Sequence, residues 1–491
     1  MTIDIRSKLL PLEMIDIKKC TTVGETVRQM EKAAIGARMI GEAAATVIKW
    51  VKEGKTPRII VDDPDDKDDF YNEMVEIFAR KLYGGKSTDP AVITSEYYAA
   101  YDCGNPVIVL GHYPSREIFG LNPDNCLFIN NLNRPPHWVR DGFFKNFVNA
   151  DPRLAVPILF RTYLERVEGE PQSISRLVDD WKKCGGVAHQ AAHGFSTFRQ
   201  MIEDPDCIVI ATMSGIMTMA KMGGLISYMI DQDWTQVIAA TGALIGHGFV
   251  EGVGLKHFKY DPHFDDVLMA DQKLNRITDT IEPEENLDHV EEIMSAVLGD
   301  QLAKGGIVSP SEINRLIGMH LSEKYPNDPS ILRSAFEKGV PVLIPAFHDS
   351  ELGNDLLIHN WRSRIEGRPE IIVNQEIDSL LLVDIMTGAK KIGIFSLGGG
   401  VPRNNMQNGA PLVEIMNVRL GLGLRENKYV YGCRICPDQT FLGHLSGCTY
   451  SENASWRKTD IEHGRFSEVM ADATIVYPFY MAAMEEIAQN K

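Results

Sequence analysis

The chain has 491 residues, 44% hydrophobic and 24% charged, with a net charge of −17 at pH 7. That length accommodates two or three domains, and the acidic balance argues against nucleic acid as a main partner, because phosphate binding needs a basic face. Eight scattered cysteines are too few for a disulfide framework, no apolar run approaches the roughly 20 residues of a membrane helix, and MTIDIRSKLLPLEMID at the N-terminus lacks a signal-peptide core, so a cytoplasmic protein with reduced thiols and no membrane partner is expected.

In chain order, ETVRQMEKAAIGARMIGEAAATVIKWVKEG (25–54) reads as a long amphipathic helix, and RIIVDD (58–63) as a buried parallel strand. DDPDDKDD (62–69) reads as a solvated acidic loop, and PVIVLG (106–111) is the next strand. NLNRPPHWVRDGFFKNF (131–147) interleaves aromatic and basic residues; in so acidic a chain it is expected to pack over a domain or across a subunit interface. RVEGEPQS (166–173) is polar, contains Gly and Pro, and predicts a linker. Residues 25–61 and 176–211 share an outline, a long helix leading into a buried strand, as two similar units would.

Further strands are predicted at CIVIAT (207–212), TQVIAATG (235–242), PVLIPAF (341–347) and KIGIFSLGGG (391–400), with helices at HVEEIMSAVLGDQLAKGG (289–306) and NQEIDSLLLVDIMTGAK (374–390). In MADATIVYPFYMAAMEEIA (470–488), Pro478 argues against one unbroken helix. The alternation predicts an α/β fold with a mostly parallel sheet. Its expected parts are an N-terminal α/β region, 1–165, and a second domain, 175–491.

Three strand ends carry small residues: ATMSG (211–215), AATGA (239–243) and SLGGGVPRNN (396–405). None is GxGxxG, but ligands of open α/β sheets bind at such ends, where glycine lets a phosphate approach the backbone. FHDSELGND (347–355) gathers His348, Asp349, Glu351, Asn354 and Asp355 after a strand; helix capping competes with ligand contact as its role. CRIC (433–436) with His444 and Cys448 has a superficial zinc spacing, yet buried structural cysteines are the better expectation and no metal is assigned. SENASWRKTD (451–460) puts Glu452, Trp456 and Lys458 within seven positions. A lysine beside an aromatic is ordinarily a surface side chain laying its stem over a ring.

Taken together, LVDDWKKCGGVAHQAAHGFSTFRQMI (177–202), AATGA, LNRITDTIEPEEN (274–286), IPAFHDSELGND (344–355), IFSLGGGV (394–401), ENASWRK (452–458) and MADATIVYPF (470–479) resemble the deoxyhypusine synthase family, in that order and over about residues 175–491. The resemblance implies a Rossmann-like NAD-binding fold in a cytoplasmic homotetramer. It also implies NAD-dependent transfer of an aminobutyl group from spermidine, through a lysine imine, to a protein lysine or, in homospermidine-like chemistry, to a small diamine. It puts the catalytic lysine at Lys458, amine contacts at Glu452 and Trp456, and NAD contacts at Ser214, Thr241, Gly242, Asp349, Gly399 and Asp472. A lysine attacks only as the neutral amine, and burial favours that form.

Departures from the family pattern fall at the amine site. Asn404 stands where the family has histidine, Asn354 where it has aspartate, and Leu445, next to His444, where it has a second aspartate. His247 replaces a glutamate, and Pro437–Asp438 a Thr-Ala pair. Buried ammonium groups need carboxylate partners, so a changed amine substrate is expected, and a regulatory subunit without activity is the alternative.

Overall fold

The computed structural model describes residues 4–62, 73–82, 92–94, 105–111, 123–130, 146–302 and 305–490. The acidic loop beyond Asp62, Cys103 and the aromatic-basic stretch 131–145 lie outside them. Two compact units are formed: Ile15–His193 with Asp261–His263 and Thr474–Lys491, and Met1–Met14 with Gly194–Tyr260 and Phe264–Ala473. The division falls at His193–Gly194 rather than in the polar segment 166–173, and the C-terminal helix joins the N-terminal unit.

The N-terminal unit holds a five-stranded parallel sheet. Its order is Val92–Thr94, Arg58–Asp62, Val107–Gly111, Cys126–Asn130 and Asn146–Asn149. Numbered along the chain this is 2-1-3-4-5, a doubly wound arrangement. The long helix expected over 25–54 is two helices, Val23–Glu31 and Ile35–Lys52. They pack so closely that a side chain on Gly41 would come within 2.3 Å of the Glu31 Cα, and Ile35 takes a φ of 56° to start the second helix. The outline shared with 176–211 is thus a helix pair before a strand, since Ile174–Cys184 and Gly186–Glu203 precede Cys207–Met213. Ala473–Gln489 is one helix despite Pro478. Ile475, Val476, Tyr477, Phe479, Tyr480 and Met481 are all fully buried, and that packing outweighs the roughly 3 kcal/mol that an interior proline costs.

The second unit is built on a six-stranded parallel sheet: β1 (Cys207–Met213), β2 (Val237–Ala240), β3 (Val342–Leu343), β4 (Lys391–Leu397), β5 (Tyr429–Ile435) and β6 (Arg465–Val469). Its order is β3-β2-β1-β4-β5-β6. β1 to β4 are buried almost throughout, which is why they read as continuous apolar runs, whereas the edge strand β6 (RFSEV) does not. Ile210, Val237, Leu343, Ile394 and Tyr429 share one core cluster. β3 is shorter than PVLIPAF suggested, because Pro345 has no N–H for a ladder and the chain turns there. The order 3-2-1-4-5-6 reverses direction between β1 and β4, and a dinucleotide fits the crevice beyond the carboxyl ends at such a point.

Candidate active site

Five of the six strands run out at an expected cofactor residue. Ser214 follows β1, Thr241 follows β2, Asp349 lies in the turn beyond β3, Gly399 follows β4 and Asp472 follows β6. Ser214 and Gly399 flank the point of reversal, and the Ser214 hydroxyl donates to the Gly399 carbonyl. Thr241 caps helix α1 (Gly242–Gly252), accepting from the Leu244 N–H at 3.3 Å and donating to the Gly215 carbonyl at 2.9 Å. Gly242 is required by close packing, since a Cβ there would sit 2.3 Å from the Ser350 Cβ.

The residues present fit a dinucleotide. Gly215 and Gly400 both have a φ of 68°, and a side chain on either would meet nothing within 4 Å, so the backbone is open to a ligand on both sides of the reversal. Helix α1 and helix α2 (Gly400–Gln407) both begin at this edge, and the start of α2 has no side-chain cap, an arrangement that suits phosphate.

Lys458 is positioned by local chemistry. Thr449 caps the short helix α3 (Tyr450–Ser455), accepting from the Glu452 N–H at 3.0 Å. Arg457 then takes a φ of 58°. The Lys458 carbonyl accepts from the Tyr429 N–H at 3.0 Å, which ties the segment to the start of β5. Lys458 is 6% exposed while Trp456 is 64% exposed, so the indole lies at the rim, its ring centre 5.9 Å from the Lys458 Nζ. The Nζ donates to the Asn404 Oδ1 at 2.9 Å. Burial lowers the lysine's pKa and the Arg403 guanidinium lowers it further, against a smaller opposing effect of Glu452. The amine therefore loses its proton more readily than an exposed lysine.

Arg403, Asn404, Gln407, Glu452, Trp456 and Lys458 line one cavity of about 320 Å³. Asn404, Glu452, Trp456 and Lys458 thus come together as expected. Asn354 and His444 do not: Asn354 is exposed on the helix Glu351–Ile365, and the His444 ring is exposed with its Nδ1 3.9 Å from Asp438. Leu445, beside His444, does line the cavity. A larger cavity of about 450 Å³ lies by the helices Pro310–Lys324 and Ile331–Lys338, where the Glu312 and Arg315 on its wall already pair with each other.

Sequence reading passed over two features. Arg403 and Gln407 belong to the cavity, and the only signal for them was their place beside Asn404 after the triple glycine. The second is a buried network around His247. Lys221 donates to Glu251 at 2.5 Å and contacts the His257 Nδ1 at 2.8 Å; the His257 Nε2 is 3.1 Å from Glu282, and the His247 Nδ1 is 2.6 Å from Glu282. Burial would raise the pKa of Glu282, but the two histidines outweigh it and hold the carboxyl down at about 2. His247, His257 and Glu282 are the one group among the described residues whose potential ligand atoms converge. Lys221 already places a positive charge against them. Cys433, Cys436, His444 and Cys448 do not converge; Cys433 is fully buried and its thiol donates to the Gly194 carbonyl.

With that geometry in hand, comparison with known proteins is specific. A family model described as deoxyhypusine synthase matches residues 176–484. A deoxyhypusine synthase-like protein of Chlorobaculum parvum is 30% identical over 304 residues, 62% of this chain and 83% of the relative. A protein of Methanosarcina acetivorans named probable deoxyhypusine synthase 2 is 28% identical over 326 residues, 65% of this chain and 89% of the relative. The parallel sheet and its strand ends define a doubly wound α/β protein with a dinucleotide-type crevice. The chain belongs to the deoxyhypusine synthase family. Among the described residues, no helix is long and apolar enough to cross a membrane.

Proposed function

We propose that the protein is an NAD-dependent transferase that passes an aminoalkyl group from an amine donor to an acceptor amine by way of an imine on Lys458. The observation that carries the reading is the buried Lys458, its pKa lowered, facing a cavity in the unit whose sheet has the dinucleotide order. Ser214, Thr241, Gly242, Asp349, Gly399 and Asp472 would hold NAD, which would remove a hydride from the carbon bearing the donor's nitrogen and later return it. The neutral Lys458 amine attacks the oxidised carbon, and the donor's remaining amine leaves with the proton that Lys458 sheds. The acceptor amine then displaces Lys458. Asn404 orients the Nζ through its 2.9 Å hydrogen bond. Trp456 offers a π-face to a cation, and Glu452 at the rim offers a carboxylate. Donors of polyamine type and acceptors that are either protein lysines or small diamines fall within this chemistry.

A cytoplasmic homotetramer completes the proposal. Exposed Leu357, Trp361 and Ile365 on the helix Glu351–Ile365 support self-association, and sedimentation tests it. The catalytic test is borohydride reduction of the full chain incubated with NAD and a panel of amines, followed by intact-mass analysis. An adduct is expected with the native chain and is lost in Lys458→Ala; an adduct that persists in that variant excludes Lys458 as the nucleophile.

A further inference from the structure

Side chains on the wall of the cavity beside Lys458 hold N–H groups without acceptors. Arg403, on its wall, is 2% exposed. Its Nη1 donates to the Cys448 carbonyl at 2.8 Å, and its Nε and Nη2 have no hydrogen-bond partner. Gln407, also on the wall and 2% exposed, accepts from the Asn453 Nδ2 at 3.1 Å, while its own Nε2 donates to nothing. All three unmet atoms are N–H donors.

Charge is unbalanced in the same sense. Arg434 in β5 is fully buried; it donates to the Ser446 carbonyl and lies 3.5 Å from Glu468. That carboxylate also accepts from the Tyr450 N–H at 2.6 Å. Two buried guanidiniums, Arg403 and Arg434, therefore share one nearby carboxylate, and the face of Arg403 is covered by the Tyr450 ring at 4.9 Å. Of the residues lining the cavity only Glu452 is acidic, and it is exposed. Asn404 already accepts from the Lys458 Nζ with its Oδ1, and Leu445 on the same wall is apolar. A simple polyamine brings only N–H donors and like charge to this wall, which is costly in a buried site. A carboxylate brings acceptor oxygens and the missing negative charge, in a shape that a guanidinium binds with two hydrogen bonds.

We propose that the Lys458 cavity takes a primary amine that also carries a carboxylate, with Arg403 and Gln407 binding the carboxylate and Glu452 left for an ammonium group. This rests on the Lys458 reading and narrows its substrate class to amino-acid-like amines. An anionic group from the dinucleotide would present the same chemistry to Arg403, so the test separates the two sources.

The experiment is calorimetric titration of the NAD-loaded full chain with three matched probes: 2,5-diaminopentanoate, its carboxamide, and 1,4-diaminobutane, which lacks the carboxyl carbon. The carboxylate form is expected to bind about tenfold or more tightly than the other two. Arg403→Gln is expected to erase that preference with little change in NAD affinity. Equal or tighter binding of the diamine overturns the proposal. So does an Arg403→Gln chain that loses NAD affinity but keeps the preference, because the arginine then serves the cofactor. If that variant does not fold, the native chain's ranking of carboxylate over carboxamide decides. Borohydride trapping with the same probes keeps the two readings apart. An adduct with the diamine alone defeats the carboxylate and spares Lys458 chemistry; a carboxylate preference with no adduct from any probe defeats Lys458 chemistry and spares the carboxylate site.

Discussion

Lys221 and Lys458 are both buried, at 1% and 6% exposure, yet their surroundings differ in kind. Lys221 has a carboxylate, Glu251, and an imidazole, His257, within hydrogen-bond reach, and Glu282 and His247 extend the network. Lys458 has a neutral amide, Asn404, and a neighbouring guanidinium, Arg403. Burial alone does not decide the charge of a lysine; the groups around it do. The first arrangement makes a polar strut inside the fold, and the second leaves an amine whose pKa burial and Arg403 lower.

Four substitutions or titrations probe that contrast, the largest effect first. Lys458→Ala or Lys458→Arg is expected to lower amine transfer by roughly a thousandfold or more while leaving the urea midpoint nearly unchanged, since no buried carboxylate loses a partner. Activity and the denaturation curve, read on the same preparations, check both halves. Lys221→Met should behave in the opposite way. It removes the ammonium from buried Glu251 and leaves the His257 Nδ1, 3.6 Å away, as its neighbour; breaking a buried pair costs about 3–5 kcal/mol, seen as a lower urea midpoint.

The third test is acid titration. Glu282 has a folded pKa of about 2 against an ordinary 4.5, so the folded state binds fewer protons than the unfolded chain. Its stabilisation is present above pH 4.5 and is lost as the pH falls toward about 2. Glu282→Gln should flatten that limb of a stability-versus-pH curve; an unaltered limb would mean that other carboxyls set it. The smallest effect expected is at Asn404. A carboxylate in its place stabilises the Lys458 ammonium, so Asn404→Asp should move the alkaline rise of the transfer rate upward by about one pH unit or more. A rise that stays put would show that Asn404 does not govern the amine's charge.

The chain also contains two doubly wound sheets, ordered 2-1-3-4-5 and 3-2-1-4-5-6. Four of the six strands of the larger one were legible as apolar runs, because burial on both faces leaves no alternation to misread; Tyr429–Ile435 and Arg465–Val469, more polar and less evenly buried, were not. The order of the strands was not, since pairing between residues as distant as 207 and 391 leaves no local trace. The helix break at Ile35 and the unbroken helix through Pro478 were misread for a related reason. Local propensity argued one way, and contacts with distant residues settled the other.

Determined by the sequence itself were the alternation of strands and helices, the small residues at strand ends, and the ordered motifs, with Trp456-Arg457-Lys458 and then MADATIVYPF (470–479) last, that carry the family resemblance. These are local patterns, set by side-chain period and backbone freedom. What only the tertiary structure decided was which of the expected residues meet. It brought Asn404 to the Lys458 amine and left Asn354 and His444 outside the cavity, and it buried Arg403 and Gln407 beside it with N–H groups unmet. The reason is physical: burial and the balance of donors against acceptors are properties of a folded neighbourhood, assembled from segments far apart in the chain.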